Sequence, residues 1–263
     1  MAVLLYGGSA LYSIFLLRRG LRRDNWLNYG LLALACAFHT VAMLKRGFSL
    51  QRCPINNLYE AVAFIGWTIS ASYLFIGLFS KWRSFGAFAS PLLLVLGIFA
   101  LMPGLDPPRG DKPNFSGWEV SLHAVLLLLS YGSFGLASVA GLMYLTQERN
   151  LKWRKLEAVF SLIPPIQRLE AITGWSVGAG FLLLTSGLAL GAVFLTPPPG
   201  TSFFKDAKVI WSMLVWGLYL ALMVSRWQFA QRGRRFAFGA VGGFVFIMLT
   251  FWGAKLLSNI HNP

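Results

Sequence analysis

The feature that most constrains this chain is a stretch of 25 residues, His123 to Gln147, that carries no charge beyond what the histidine itself can take. At about 1.5 Å per residue, a helix of that length crosses the hydrocarbon core of a bilayer. Backbone polar groups in lipid must be satisfied within the spanning structure, so only helices or closed barrels cross. The stretch lacks the period-two alternation of a strand. Seven further apolar segments share this character, giving predicted helices over about 2–17, 26–44, 58–79, 84–102, 121–147, 171–195, 207–225 and 236–257. The expected fold is therefore an all-α integral membrane protein, a bundle of eight transmembrane helices forming one domain over residues 1–263.

Composition agrees. Only 12% of residues are charged and 56% are hydrophobic, with mean hydropathy +0.62, whereas soluble domains sit near about 25% charged. A net charge of +14 could signal nucleic acid, but the basic residues lie in short clusters between apolar segments, as topology determinants do. The expected surroundings are a lipid bilayer, with no nucleic-acid partner. The two cysteines, Cys36 and Cys53, are too few and too differently placed for a disulfide framework.

Lys and Arg also set the orientation. The apolar run Ala2–Leu17 has no basic residue before it and Arg18, Arg19, Arg22 and Arg23 after it, the reverse of a cleavable signal. With the N-terminus outward, inner loops hold 15 basic residues and outer ones 8, so both termini are expected on the outer, periplasmic side of a bacterial inner membrane. The inner stretch Asn150–Glu170, with Trp153 among basic residues, is expected along the anionic inner surface. Asn114-Phe115-Ser116 matches a glycosylation triplet by chance. Ionisable residues sit near helix ends, which disfavours a coupled transporter. Glycines such as Gly174, Gly178, Gly187 and Gly191 read as helix-packing positions.

Familiar catalytic patterns are missing. There is no HExxH, P-loop, GxSxG or paired-cysteine metal spacing, and no CxxCH, so the chain is not itself a conventional c-type cytochrome. What remains is three histidines that the topology puts on one side. His39 lies about five residues inside the outer end of the second segment, His123 opens the fifth, and His261 follows the eighth. Neutral imidazoles, aromatic surface and nearby cations are what iron porphyrin requires, and His123 with His261 could supply two axial positions. Each histidine also has a plainer reading: a hydrogen-bonded helix terminus for His123, a solvated tail for His261, an interhelical hydrogen bond for His39.

Several segments carry a family resemblance. Pro54-Ile-Asn-Asn-Leu-Tyr-Glu60, running on to Trp67, is similar to the P-x-x-N-L-Y-E…W stretch of cytochrome c assembly proteins of the CcsA/ResC type. His123 with Ser130-Tyr131 resembles that family's H-x6-S-Y helix, and Asp206-Ala-Lys208-Val-Ile-Trp211 with Trp216 resembles the end of its tryptophan-rich motif. Arg232-Gly-Arg-Arg235 and Leu257-Ser-Asn-Ile-His261 are similar to its basic loop and final histidine. The likeness runs through residues 50–263. It departs in the loop Thr196–Lys205, which has no tryptophan, with Lys205 where a tryptophan precedes the aspartate and Val209 where a glutamate stands. It departs again near Val224, where the family places an intramembrane histidine.

The resemblance implies transient, non-covalent haem b at the outer face, with His123 and His261 as axial ligands of the iron and Asp206, Trp211 and His39 as further cofactor-binding candidates. It implies an apocytochrome c and a second membrane assembly subunit as partners, with the chain a non-catalytic or partner-dependent subunit of a haem lyase system. The stripped loop brings it near the HemX-like and YpjD-like relatives, so the alternative expectation is a haem-related membrane regulator or scaffold without synthetase activity.

Overall fold

A computed structural model describes residues 1–19, 26–50, 57–78, 80–102, 118–152, 164–194, 205–228 and 233–256. Eight α-helices occupy them: α1 (Ala2–Arg19), α2 (Trp26–Leu50), α3 (Leu58–Gly77), α4 (Gly86–Ala100), α5 (Trp118–Lys152), α6 (Ile166–Phe194), α7 (Ala207–Trp227) and α8 (Arg234–Leu256), with a 3-10 turn, Ser80–Phe85, ahead of α4. There is no strand among the described residues. Each expected segment is a helix, and the membrane character is that of an all-α protein.

Among the described residues six stretches are long and apolar enough to cross a bilayer: Trp26–Ser49, Leu58–Gly77, Arg83–Ala100, Trp118–Arg149, Ile166–Phe194 and Ala207–Trp227. The apolar part of α1, Ala2–Phe15, is shorter than the roughly 17–25 residues of a full span, and α8 opens on Arg234 and Arg235. Large apolar side chains face outward along the bundle, including Leu4, Leu11, Leu182 and Leu249, each more than two-thirds exposed. A water-soluble fold would not present so much.

The helices form two neighbouring groups. In the first, α1 packs on α2 and α4, and α3 packs on α2 and α4; in the second, α5 packs extensively on α6 and on α8, and α7 packs on α8 and α6. The α3–α5 contact joins them. Small residues make these approaches possible. Gly132 on α5 lies against Thr68 of α3, where an added Cβ would run into the threonine methyl.

At Gly180 of α6 the neighbour is Phe134 of α5, whose ring would stand 2.5 Å from an added Cβ. Phe134 cannot retreat, because it is buried and stacked on Tyr219 of α7 with ring centroids 3.5 Å apart. Gly180→Ala is therefore expected to lower stability by about 1–3 kcal/mol, the usual cost of overpacking a closed core. A thermal melt in detergent checks this, with Gly178→Ala beside it, whose Cβ would meet only the Met223 methyl at 3.8 Å.

The α3–α4 turn is fixed by Arg83. Its guanidinium lies 3.8 Å over the Trp26 ring and its Nε donates to the Gly77 carbonyl at 3.2 Å, while Tyr73 donates its hydroxyl to the Arg83 carbonyl. A buried cation is tolerated here by an aromatic face and a backbone acceptor.

Candidate functional site

His123 sits on the second turn of α5. Its Nδ1 is 2.6 Å from the carbonyl oxygen of Gly187 on α6. A carbonyl only accepts, so Nδ1 carries the proton and donates, and the other ring nitrogen, Nε2, keeps its lone pair in the neutral ring. The bond also fixes the ring's orientation. The helices come close enough for it because Gly187 has no side chain: an added Cβ would stand 2.8 Å from the Leu127 methyl. Gly187 was legible as a packing position; its second role, orienting the imidazole, leaves no signature in sequence, since any residue has a carbonyl.

The head of α7 lies beside this position. Asp206 is its N-cap, accepting from the backbone N–H groups of Lys208 at 3.0 Å and Val209 at 3.3 Å, and is buried. The carboxylate thus sets where α7 begins, satisfying donors a helix start leaves open. Lys208, two residues on, is within electrostatic range of the His123 imidazole.

Deeper between the helices, Ser130 and Tyr131 continue the face below His123. Ser130 returns its hydroxyl to the Leu127 carbonyl at 2.6 Å. The buried Tyr131 ring meets Trp211 of α7 edge to face, centroids 6.1 Å apart. The Trp211 indole N–H donates to Thr250 Oγ1 of α8 at 2.7 Å, and Thr250 donates to the Phe246 carbonyl. Tyr131 and Trp211 therefore form an aromatic pair tied across α5, α7 and α8. His123, Asp206 and Trp211 are brought into one region. His261 lies outside the described residues, as do the loop 196–204, Cys53, Trp153 and the Asn114 triplet.

His39 is elsewhere, in the α1–α4 group. Its Nδ1 lies 3.2 Å from the Tyr6 hydroxyl of α1, with the two rings edge to face, so the interhelical hydrogen bond is present. The Asn-Leu-Tyr-Glu segment beside it is structural in a definite way. Asn57 caps α3, accepting from the Glu60 N–H at 2.7 Å, while Glu60 accepts back from the Asn57 N–H at 3.4 Å, a closed capping box. The Glu60 side chain has no exposure and pairs with Arg46 Nε of α2 at 2.7 Å, while the Arg46 guanidinium lies 4.9 Å over the Tyr59 ring. Trp67 donates to Thr40 of α2 at 2.9 Å, and Thr40 to the Cys36 carbonyl. The segment clamps α3 to α2. Sequence reasoning left Arg46 and Tyr6 out; the Asn-x-x-Glu spacing was a readable signal for the cap, but nothing in it announced the partner on α2.

Among the described residues no group of three or more His, Cys, Asp or Glu is arranged to hold a bare metal ion. A porphyrin iron needs fewer protein donors than a bare ion, and His123 offers an imidazole oriented by Gly187 through Nδ1, a bond that does not use Nε2.

Comparison with known proteins places these features. A family model described as "Cytochrome C assembly protein" matches residues 55–261. A protein of Guillardia theta named "Cytochrome c biogenesis protein CcsA" is 25% identical over 265 residues, covering 94% of this chain and 88% of its own length. Its namesake in Prochlorococcus marinus strain NATL2A is 30% identical over 258 residues, covering 86% and 81%. One from Synechococcus sp. strain CC9902 is 27% identical over 254 residues, covering 86% and 83%.

Proposed function

The chain belongs to the cytochrome c assembly protein family, and on that premise we propose that it serves cytochrome c biogenesis by holding haem b, without a covalent bond, at the outer face of the membrane for attachment to the CxxCH thiols of an apocytochrome c. The observation that carries this reading is the 2.6 Å bond from His123 Nδ1 to Gly187. It leaves Nε2 as a donor held in one orientation, the arrangement second-sphere hydrogen bonds give metal-ligating histidines. His261 would be the second residue to hold the iron. Tyr131 and Trp211 support the site from beneath, Asp206 fixes the start of α7, and Lys208 offers a cation to a propionate. Bound there, haem would present its vinyl groups to the incoming thiols. His39, engaged with Tyr6 in the other helix group, is outside this ligand set.

In this reading all eight helices cross a bacterial inner membrane, and both termini, with the haem region, face the periplasm, as the 15-to-8 distribution of basic residues favours. The chain is one transmembrane assembly domain, acting with a second membrane subunit.

The absorption spectrum of the detergent-purified protein, expressed with ample haem, tests the assignment. A Soret band is expected, reduced at least about tenfold in haem affinity by His123→Ala, the scale on which metal-site substitutions act. No band, or a band indifferent to both His123→Ala and His261→Ala, overturns it. The tryptophan-poor loop favours the regulator or scaffold alternative; intact c-type cytochromes after gene deletion would decide for that reading.

A further inference from the structure

Between Arg234 and Thr250 the exposed positions of α8 are Arg234, Arg235, Phe238, Gly242, Val245 and Leu249. After the arginines they recur every three or four residues, the spacing of one helix face. The opposite side of α8 is committed: Phe236, Ala240, Phe244 and Ile247 are buried, and the helix packs on α5 and α7. We propose that the exposed stripe seats one anionic phospholipid, its phosphate held by Arg234 and Arg235 and an acyl chain lying along Phe238 to Leu249. The site goes beyond the haem reading and does not depend on it.

The head of the stripe lies where four helices meet. α5 ends there and α6 begins, α7 ends on Trp227, and α8 starts. The Glu148 carboxylate of α5 is 3.7 Å from Arg234 Nε, and Arg226 of α7 donates to the Glu170 carbonyl of α6 at 3.4 Å. Trp227 is 73% exposed, as tryptophans at the headgroup level of a bilayer are. Among the described residues this end also carries Arg149, Lys152 and Arg168, against the acids Glu148 and Glu170, so it favours an anion. Arg226 is engaged, its guanidinium lying on the bare Gly174 and 4.6 Å from the Phe236 ring centroid. The α8 pair faces outward. Arg235 is exposed, and the Arg234 side chain, 60% exposed, meets Glu148 only beyond hydrogen-bonding distance. The Arg234 guanidinium lies 5.5 Å from the Phe238 ring centroid, a cation–π contact that holds it at the top of the stripe. A guanidinium offers phosphate a planar fork of donors.

The rest of the stripe is apolar. Gly242 leaves a notch in it, since an added Cβ there would meet nothing within 4 Å. Phe238 stands one turn above the notch, with Val245 and Leu249 below, all exposed. From Phe238 to Leu249 the helix rises roughly 16 Å, close to half of a hydrocarbon core about 30 Å thick, which is the depth of one leaflet. A free phosphate or an acidic soluble partner would use the arginines and leave this row without purpose. Paired cations above an apolar row one leaflet deep match a ligand that is anionic at one end and apolar along the rest.

Native mass spectrometry of the full chain, released from detergent with added lipid, tests the proposal. Phosphatidylglycerol is expected to be retained over phosphatidylcholine. Arg234→Gln with Arg235→Gln should weaken phosphatidylglycerol binding about fivefold per charge removed, roughly 25-fold for the pair. Arg149→Gln with Lys152→Gln removes two charges from the same end off the stripe, and should change binding by no more than about twofold, as a screened distant charge does. Glycerophosphoglycerol, the same headgroup without chains, should compete poorly. No preference for phosphatidylglycerol in the wild type overturns the proposal, as does equal weakening in the two double variants. Full competition by the chainless headgroup would leave only an anion site, and displacement of lipid by an oligoglutamate peptide would assign the arginines to an acidic protein; either overturns the lipid. If the arginine variant does not fold, Gly242→Phe fills the notch with both arginines in place. It should lower phosphatidylglycerol retention, and unchanged retention overturns the proposal equally.

Discussion

Glu60→Ala is expected to destabilise the α1–α4 group by about 3 kcal/mol, the lower end of what breaking a buried ion pair costs. Two losses combine. The Arg46 guanidinium, whose side chain is one-quarter exposed, is left facing Tyr59 without its carboxylate. The start of α3 loses half of its capping box, a contribution of about 0.5–2 kcal/mol where a cap is removed outright. Partial exposure of Arg46 lets water or a lipid phosphate recover some of the first loss, which keeps the total from the upper end. Glu60→Gln should fall short of this, because its one amide oxygen still accepts from either Arg46 Nε or the Asn57 N–H, while its NH2 group faces the other donor. Arg46→Ala should resemble Glu60→Ala, taking the guanidinium away from a fully buried carboxylate, and the double variant should cost less than the two single changes together. Denaturation in mixed detergent with SDS, followed by tryptophan fluorescence, measures all four proteins. Equal stability of Glu60→Ala and wild type would mean that the pair does not hold α3 to α2.

The ease with which the helices could be read, and the difficulty of reading what they hold, have one physical origin. Lipid imposes length and apolarity on every span, so segments such as 58–79 and 207–225 announced α3 and α7 within two residues. Contacts across helices obey no such period. The His123–Gly187 bond joins residues 64 apart through a carbonyl that every residue possesses. The Arg46–Glu60 pair joins two ionisable groups that sequence placed only near helix ends. Asp206 and Trp211 stood out as candidate cofactor contacts, and they do lie in the region of His123, but their polar atoms are given to the α7 cap and to Thr250. Residue type pointed to the region; which atoms remain available was a matter of packing. His39 shows the converse, since its predicted interhelical bond exists while its neighbours, Tyr6 and Glu60, come from two other helices.

Gly187→Val should deplete bound haem nearly as severely as His123→Ala, although it leaves the imidazole in place. The added Cβ would enter the space of Leu127, with contacts of 2.8 Å to its methyl, 3.1 Å to its Cγ and 3.4 Å to Leu126 Cβ. The nearest atom ends a flexible side chain, but Leu127 is buried against the core, and valine brings two more carbons than that first contact counts. Relief must come from moving α6 away from α5. A shift of even 1 Å takes the 2.6 Å bond from His123 Nδ1 beyond hydrogen-bonding range. The ring then loses both its orientation and the acceptor that kept the proton on Nδ1, so either nitrogen can carry it and Nε2 ceases to be a dedicated donor. Loss of such an outer partner typically weakens metal binding by roughly 10–100-fold, and overpacking adds about 1–3 kcal/mol of destabilisation. The haem-to-protein absorbance ratio and the melting temperature, taken on the same samples, separate these effects. Gly180→Ala sets the comparison: it overpacks the same α5–α6 interface against Phe134 without touching the His123 acceptor. It should lower the melting temperature while retaining more haem than Gly187→Val. If the two variants lose haem in proportion to their loss of stability, the Gly187 carbonyl has no orienting role and His123 is held by the fold as a whole.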